Sequence, residues 1–597
     1  MLDEQGGGIA VDAAPTRPPA LRREGAKLIG FSEPTPVPGT GMSVALSPRC
    51  PWEGPRNMGR TRLFRRLLDT IRMGNAEGPA DEAVDAAQAR AVSRRSMLRA
   101  TGAAITVAAT PSLLTGCAAD DSAPEALGQG KQALRQVRAS IGIVGAGIGG
   151  VACAYQLKRM GCNATIHEAG SRIGGRIWSD SDPKWLGQTI ERGGELIDTP
   201  HKTMIGYARE LGLTLENVLK PSRETFYRFR GAMIPETVMV DEYRALVDAM
   251  RDDLRVLGSP TADRSTEADR ALDNMSLAEW LDSRGAAPNI KALLNVAYTI
   301  EYGVDTSALS SLSFLMFAKA SKQSKLRLWG NFSDERYHVV GGNQQIPLGL
   351  AARLPGQIQL ERRLTRARKL SDGRVELTFI QGSKTVTATH DGVVFALPYH
   401  LLRDVELDAS LALPAWKKDS IARFVCGDNA KLMVGFQGRP WIERGGNGAS
   451  YSDLPYLQAT WETSPSTANA SRAVITDFTG AALARSLSPS NVQQHCERFL
   501  TNYDTVLPGT KARARRDSRG NYVSHLEHWP SNPLSKGAYS ANQPGYFTTI
   551  EGNPAKQVGN LYFAGEMTDS FYSWQGFMEG GALSGLRCAS EILADFG

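Results

Sequence analysis

The sequence predicts an α/β fold of more than one domain, and three observations carry that prediction. The 597 residues exceed what one hydrophobic core organises, because cores stop growing near ~250–300 residues. Residues 140–168 run strand, glycine-rich turn, helix, strand, which is the order of a βαβ unit. Further on, a mostly helical stretch at 200–320 gives way to strand patterns at 336–400 and again at 420–480.

The βαβ unit begins with Ser140–Val144, a short apolar strand. Gly145-Ala-Gly147-Ile-Gly-Gly150 follows at once, then a helix over Val151–Met160 with Cys153, Leu157 and Met160 on one face. A second strand, Ala164–Ile166, ends at Glu168, 18 residues past Gly150. Gly145 permits the tight turn, Gly147 lets backbone approach a pyrophosphate, and Gly150 lets helix pack on strand. The helix N-terminus turns its free N–H groups and positive dipole end toward phosphate, and Glu168 is placed to accept hydrogen bonds from ribose hydroxyls. With strand, helix and acid in register, the unit reads as a Rossmann-like dinucleotide site.

The remaining elements follow in order. Helices are expected at Thr203–Leu211, Val240–Leu257, Ser276–Arg284 and Ile290–Tyr298. Arg374–Ile380 alternates at period two, and Val393–Leu397 is a continuous apolar run, as in a strand buried on both faces. Loops are expected at Gly438–Ser452 and Pro530–Gly545. Leu561–Glu566 reads as a buried strand ending in Gly565 and an acid, and a helix starting near Gly576 runs to Leu593.

Composition excludes several classes. Hydrophobic residues make up 42% and charged residues 22%, an ordinary globular mix. Residues 1–116 hold 15 Lys/Arg against 11 Asp/Glu, and the remainder holds 53 against 51. The body is therefore near neutral, without the basic surplus of a nucleic-acid binder. Cys50, Cys117, Cys153, Cys162, Cys426, Cys496 and Cys588 form no CxxC pair, so neither a zinc ribbon nor a thioredoxin-like site is indicated. The eight histidines are scattered and none is paired along the chain.

Residues 1–92 show no sustained apolar period and read as a leader, Met58 or Met73 being the expected start codon. Ser93-Arg94-Arg95-Ser96-Met97-Leu98-Arg99 resembles the twin-arginine export motif. The apolar stretch Ala103–Leu114 is too short to span a bilayer, which needs ~20 apolar residues. It ends in Leu114-Thr-Gly-Cys117, which resembles a lipobox. The expectation is export as folded cargo to a periplasmic or membrane-anchored location, with a lipid anchor at Cys117.

A second glycine pair flanked by arginines, Arg172-Ile-Gly174-Gly175-Arg176, follows Glu168. With the acid-terminated strand at Glu566 and the helix after Trp574–Gly581, it favours a flavin over a nicotinamide dinucleotide. Together with Glu191–Gly194, Gly341–Asn343 and Val393–Pro398, these blocks resemble the flavin-containing amine oxidase family, in order, over about 139–597. The resemblance implies a Rossmann-like FAD-binding domain (139–220, 336–400, 545–597) interleaved with an α+β substrate-binding domain (221–335, 401–544). It implies a cofactor site of Gly145, Gly147, Gly150, Glu168, Arg172, Gly174, Gly175, Arg176, Gly194, Glu195, Gly565, Glu566, Gly576, Phe577 and Met578. Lys431 resembles the family lysine that holds a water against flavin N5, and Tyr539 and Phe577 resemble the aromatic pair flanking the substrate channel. Ala538 stands where some members bond FAD through cysteine, so non-covalent FAD is expected. The helix near Gly576 would aim its positive end at the flavin C2 carbonyl.

The implied partners are O2 and a small-molecule amine or amino acid, with imine and hydrogen peroxide as products. An L-amino-acid oxidase or tryptophan 2-monooxygenase, a flavin desaturase, and a non-catalytic flavin-binding module remain as alternatives. A buried substrate carboxylate would want an arginine, but Leu196 stands where the resemblance puts it. Glu195 and Asp198 add negative charge there, and Arg228 and Arg230 alternate with aromatics as on a solvated strand face. The expectation is therefore amines over amino acids.

Overall fold

The computed structural model describes residues 138–219, 223–318 and 333–597. The twin-arginine-like motif, the leader and Cys117 lie outside the described residues.

In chain order, β1 (Ile141–Val144) turns into α1 (Ile148–Arg159) and the chain returns as β2 (Ala164–His167). Helix α2 (Lys202–Glu210) follows, then a hairpin of Glu224–Phe229 with Ala232–Ile234, and a helical stretch that includes α3 (Pro288–Tyr302). Strands β3 (Gly392–Phe395), β4 (Asn429–Phe436), β5 (Ala473–Gly480) and β6 (Leu561–Phe563) precede the C-terminal α4 (Met578–Phe596).

Two main sheets organise these elements. The first is five-stranded and parallel, in the order β6, β3, β1, β2, Ile358–Gln359. Its central β1 and β3 are buried along their whole length, as continuous apolar runs require of strands covered on both faces. The second is seven-stranded and mixed: Ser524–His528, β4, β5, Leu457–Thr463, Gly446–Leu454, Glu224–Phe229, Ala232–Ile234. Each sheet draws strands from distant parts of the chain, so the fold is interleaved: the parallel sheet spans 141–563 while the mixed sheet takes 224–234 and 429–528. A four-stranded sheet, Lys384–His390, Val375–Gln381, Arg363–Lys369 and Glu406–Leu407, completes the α/β architecture.

Several local expectations shift. Helix α1 starts at Ile148 with Gly147 as its N-cap, so Gly150 sits inside the first turn. Helix α4 starts at Met578, because Gly576 holds a left-handed φ of +87° that cannot continue into a helix. The expected loop Gly438–Ser452 contains a short helix, Pro440–Glu443, and most of a strand, Gly446–Leu454. Glycines and serines masked that strand's propensity, and sheet pairing supplied it. The histidines are not all solitary: His167 Nε2 lies 3.1 Å from His390 Nε2, 223 positions further along the chain.

Candidate active site

The nucleotide motif folds as its residue types dictate. Gly145 has φ +108°, and its N–H donates to the carbonyl of His167. A Cβ at Gly150 would lie 2.0 Å from the carbonyl oxygen of Gly145, whereas a Cβ at Gly147 would meet nothing within 4 Å. Gly150 thus closes helix on strand, and Gly147 faces open space. The carboxylate of Glu168 accepts 2.7 Å bonds from Ala146 N–H and Gly170 N–H at the end of β2. Gly174 N–H donates to Ala146 at 2.9 Å, which seats the second glycine pair, Gly174–Gly175, beside the first motif.

The arginines flanking that pair hold backbone. Arg172 donates to the carbonyls of Gly175 and Ile177 and its guanidinium lies 4.0 Å over the Trp178 ring. Arg176 donates to Ala538 O at 2.5 Å and pairs with Glu566 at 2.9 Å. Glu566 also accepts from Ser540 Oγ and from Gly576 N–H, so the loop after Gly565 is tied to the first segment of the chain.

Lys431 sits on β4, an inner strand of the second sheet that is buried along its whole length. Its Nζ donates to Glu195 Oε2 (2.8 Å), Gly193 O (2.7 Å) and Glu191 O (3.2 Å). An ammonium has three protons, so these bonds occupy all of them. The Glu191–Glu195 loop that Lys431 grips is itself locked. Glu191 accepts from Ser179 Oγ, Asn343 N–H and His338 Nε2, and Asn343 Nδ2 donates to the carbonyls of Gly194 and Glu195. This is the physical use of the Glu-x-Gly and Gly-Gly-Asn motifs. Burial would lower the pKa of His338, but its hydrogen bonds to Glu191 and Glu216 raise it to about 10.

Tyr539 donates its hydroxyl to Ile300 O at 3.2 Å, and burial pushes its pKa well up. Phe577 stacks on Phe317 and meets His201 edge-on, with Trp574 beside both. Asp198 N–H donates to His201 Nδ1, and Asp198 Oδ1 accepts from Ser333 Oγ and Glu335 N–H.

One cavity of about 900 Å³ joins these parts. Gly145, Gly147, Glu168, Arg172, Gly174, Gly175, Arg176, Gly194, Glu195, Lys431, Tyr539, Gly565, Glu566, Gly576, Phe577 and Met578 all line it; Gly150 does not, because it packs helix on strand behind the cradle. Its size lies near the top of the ~300–1,000 Å³ range of ligand pockets. The open space before Gly147 and Gly576, the N-terminus of α1 and the acid at the end of β2 fit a dinucleotide at one end.

The sequence matches the family pattern described as flavin containing amine oxidoreductase over residues 148–593. The chain belongs to the flavin-containing amine oxidoreductase family. Its similarity to amine oxidase [flavin-containing] B of Canis lupus familiaris is 26% identity over 470 residues, 76% of this chain and 86% of that protein. For the Homo sapiens protein of the same name it is 25% over 467 residues, with the same coverage. The fold is similar to that of cyclohexylamine oxidase from Brevibacterium oxydans IH-35A, with TM-score 0.65 and 22% identity over 76% of this chain and 99% of that one. It is also similar to wild-type putrescine oxidase bound to putrescine, with TM-score 0.63 and 19% identity at the same coverage. The protein is thus a flavin amine oxidase, an oxidoreductase acting on carbon–nitrogen bonds.

Two readings of charge in this oxidase change. Glu195 is neutralised by Lys431, and Asp198 does not line the cavity. The acids that line the cavity near Tyr539 are Glu301, on the last turn of α3, and Glu335. Sequence reasoning missed both. The available signal for Glu301 was a lone carboxylate ending the apolar run Ala297–Ile300. Arg230 is exposed and Arg228 half-buried, and neither lines the cavity.

Proposed function

We propose that this oxidase binds FAD non-covalently and oxidises a small primary amine or polyamine to an imine, which water hydrolyses to an aldehyde and ammonia or a smaller amine. The observation that carries the reading is the charge of the shared cavity. Among its described lining residues the arginines are Arg172, Arg176, Arg362 and Arg363, which belong to the nucleotide side with Glu168 and His167. At the aromatic end stand Tyr539, Phe577, Glu301 and Glu335. A substrate carboxylate buried there would find no guanidinium among the described lining residues at that end, and an unpaired buried charge costs several kcal/mol. The names of the relatives and of the two similar structures also specify amines.

FAD held in this cavity would supply the two-electron oxidation of the carbon–nitrogen bond, with O2 as the electron acceptor and hydrogen peroxide as its product. The protein's part is placement. Gly147 and the N-terminus of α1 receive the pyrophosphate, and Glu168 the ribose. The N-terminus of α4, with Met578, opens on the cavity and would favour negative charge on a flavin ring held there. Tyr539 and Phe577 wall the channel through which the neutral amine reaches the ring. Lys431 fixes the Glu191–Glu195 loop. To hold a water as well, it would exchange its longest bond, the one to Glu191. Ala538 carries no thiol at the position from which a covalent flavin bond would form, which supports non-covalent FAD. Export through the twin-arginine-like motif, with lipidation at Cys117, is part of the same proposal and is checked by mass spectrometry of the mature N-terminus.

The test is anaerobic stopped-flow reduction of the yellow holoenzyme with tyramine, hexylamine, L-phenylalanine, L-lysine and L-tryptophan. Amines are expected to bleach the flavin faster, with peroxide formed on re-aeration. Amino acids winning by about tenfold, or 1.4 kcal/mol, would instead establish an amino-acid oxidase.

A further inference from the structure

The N-terminus of α2 divides its work between two residues. His201 is the N-cap of that helix, a position whose side chain ordinarily accepts a hydrogen bond from the first turn. Here the His201 side chain makes no capping bond. The N–H groups of Thr203 and Met204, which such a cap would serve, donate instead to Glu579 in the first turn of α4, both at 2.8 Å. The imidazole is left to pack elsewhere, and it meets Phe577, the N-cap of α4. The two helix starts are thus exchanged. An acid of α4 caps α2, and the cap residue of α2 abuts the cap residue of α4.

The imidazole is held firmly on its polar edge. It is 1% exposed, burial holds its pKa down at about 3, and Nδ1 accepts from Asp198 N–H at 3.0 Å. The neutral ring therefore carries its proton on Nε2, which lies 3.3 Å from Asp198 Oδ2. Ser333 Oγ and Glu335 N–H anchor the other oxygen of that carboxylate. The ring meets Phe577 with centroids 5.3 Å apart and planes at 65°, and Trp574 at 4.5 Å and 89°. Phe577 also meets Trp574 edge-on at 5.8 Å and stacks on Phe317 at 6.3 Å. Edge-on pairs are directional, because the positive edge of one ring seeks the negative face of the other. They fix the plane of a ring, where an aliphatic neighbour would only fill space. Phe577 lines the cavity, whereas His201 and Trp574 are not among its described lining residues.

We propose that His201 is a positioning residue that sets the plane of Phe577, and so the fit of the cavity to flat, ring-bearing amines. This rests on the reading of Phe577 as a wall of the substrate channel. A flat substrate ring needs a wall of fixed plane and loses contact when Phe577 turns. A flexible alkyl chain readjusts to the turned ring. His201 touches no reacting atom and acts through Phe577.

The experiment measures kcat and KM of flavin-loaded wild type, His201→Asn and His201→Phe with tyramine and with hexylamine. Asparagine keeps a side-chain acceptor for Asp198 N–H and lacks the ring; phenylalanine keeps a ring and lacks the acceptor. In His201→Asn the tyramine-to-hexylamine ratio of kcat/KM should fall by about threefold to tenfold, mainly through KM for tyramine, which is the range one edge-on ring pair supplies. In His201→Phe the ratio should stay within about twofold of wild type, even where the lost acceptor lowers the melting temperature. A merely structural role would move stability in both variants and the ratio in neither. An unchanged ratio in His201→Asn, or an equal fall in both variants, overturns the proposal. Should His201→Asn not fold, His201→Leu, which also lacks a ring, takes its place and is read in the same way. Phe577→Leu is measured alongside. If it shifts the ratio and His201→Asn does not, only the His201 assignment fails. If it leaves the ratio unchanged, Phe577 is no channel wall, and that reading fails together with this inference.

Discussion

Lys431 is held by three acceptors from one loop, two of them backbone carbonyls, and this makes its substitution a test of position as well as chemistry. Lys431→Met removes the charge and leaves Glu195 buried without a partner. Breaking a buried pair from one side costs about 3–5 kcal/mol, so the variant's melting temperature should fall, and Lys431→Met/Glu195→Gln should recover part of the loss. The flavin cradle is built from other residues, so both variants should keep their flavin while reduction or reoxidation by substrate and oxygen slows. Rapid-mixing kinetics together with calorimetry separates the two effects. Unchanged rates in both half-reactions of Lys431→Met would take Lys431 out of the site.

Among the elements, the strand Tyr337–Val339 is the joint between the nucleotide segment and its surroundings. It pairs with Leu215–Asn217, and its His338 reaches Glu216 on one side and Glu191 on the other. The pKa of His338 stands at about 10 in the folded protein against an ordinary 6.5. A raised pKa means that the folded state holds the proton more tightly. The stabilisation is therefore complete below about pH 6.5 and is lost as pH rises toward about 10. Wild type should exceed His338→Gln in melting temperature by its widest margin near pH 6, and the gap should narrow steadily on the alkaline side. A gap independent of pH would show that His338 is neutral in the fold. The same two-partner logic holds α2 and α4 together: Glu579, in the first turn of α4, accepts 2.8 Å bonds from Thr203 and Met204 N–H in the first turn of α2. A residue of the Trp574–Gly581 motif thereby caps a helix from a distant part of the chain.

For the whole molecule, the cavity is the place where distant segments meet. Its walls come from residues 144–196, 301–317, 335, 362–405, 429–478, 529–540 and 565–581, so a bound cofactor would touch segments far apart along the chain. Ligand that binds only the folded state stabilises it by about 2.7 kcal/mol at a hundredfold excess over Kd. Added FAD should raise the melting temperature of stripped protein progressively. Gly147→Val should abolish that shift without unfolding the protein, since its side chain enters open cavity rather than packed backbone. A Gly147→Val protein that turns yellow and shifts like wild type would displace the pyrophosphate from Gly147.

Sequence alone determined what depends on short stretches of chain: the β1–α1–β2 unit, the glycine turn ending at Glu168, the continuous apolar run that becomes β3, and membership of a flavin amine oxidase fold. These are legible because strand and helix periods, turn glycines and a helix N-terminus act over a few residues, where composition decides conformation. The helix starts at Ile148 and Met578 and the strand Gly446–Leu454 were misplaced because capping geometry and sheet pairing overrode local propensity. Only the tertiary structure decided what depends on approach between remote residues. It set His167 against His390 and gave Lys431 to Glu195. It also removed Asp198 from the cavity and left Glu301 lining it with no ion-pair partner among the described residues. Charge alone cannot be read along the chain in this way, because whether a carboxylate is satisfied or waiting for a ligand is fixed by which donors the fold brings within about 3 Å of it.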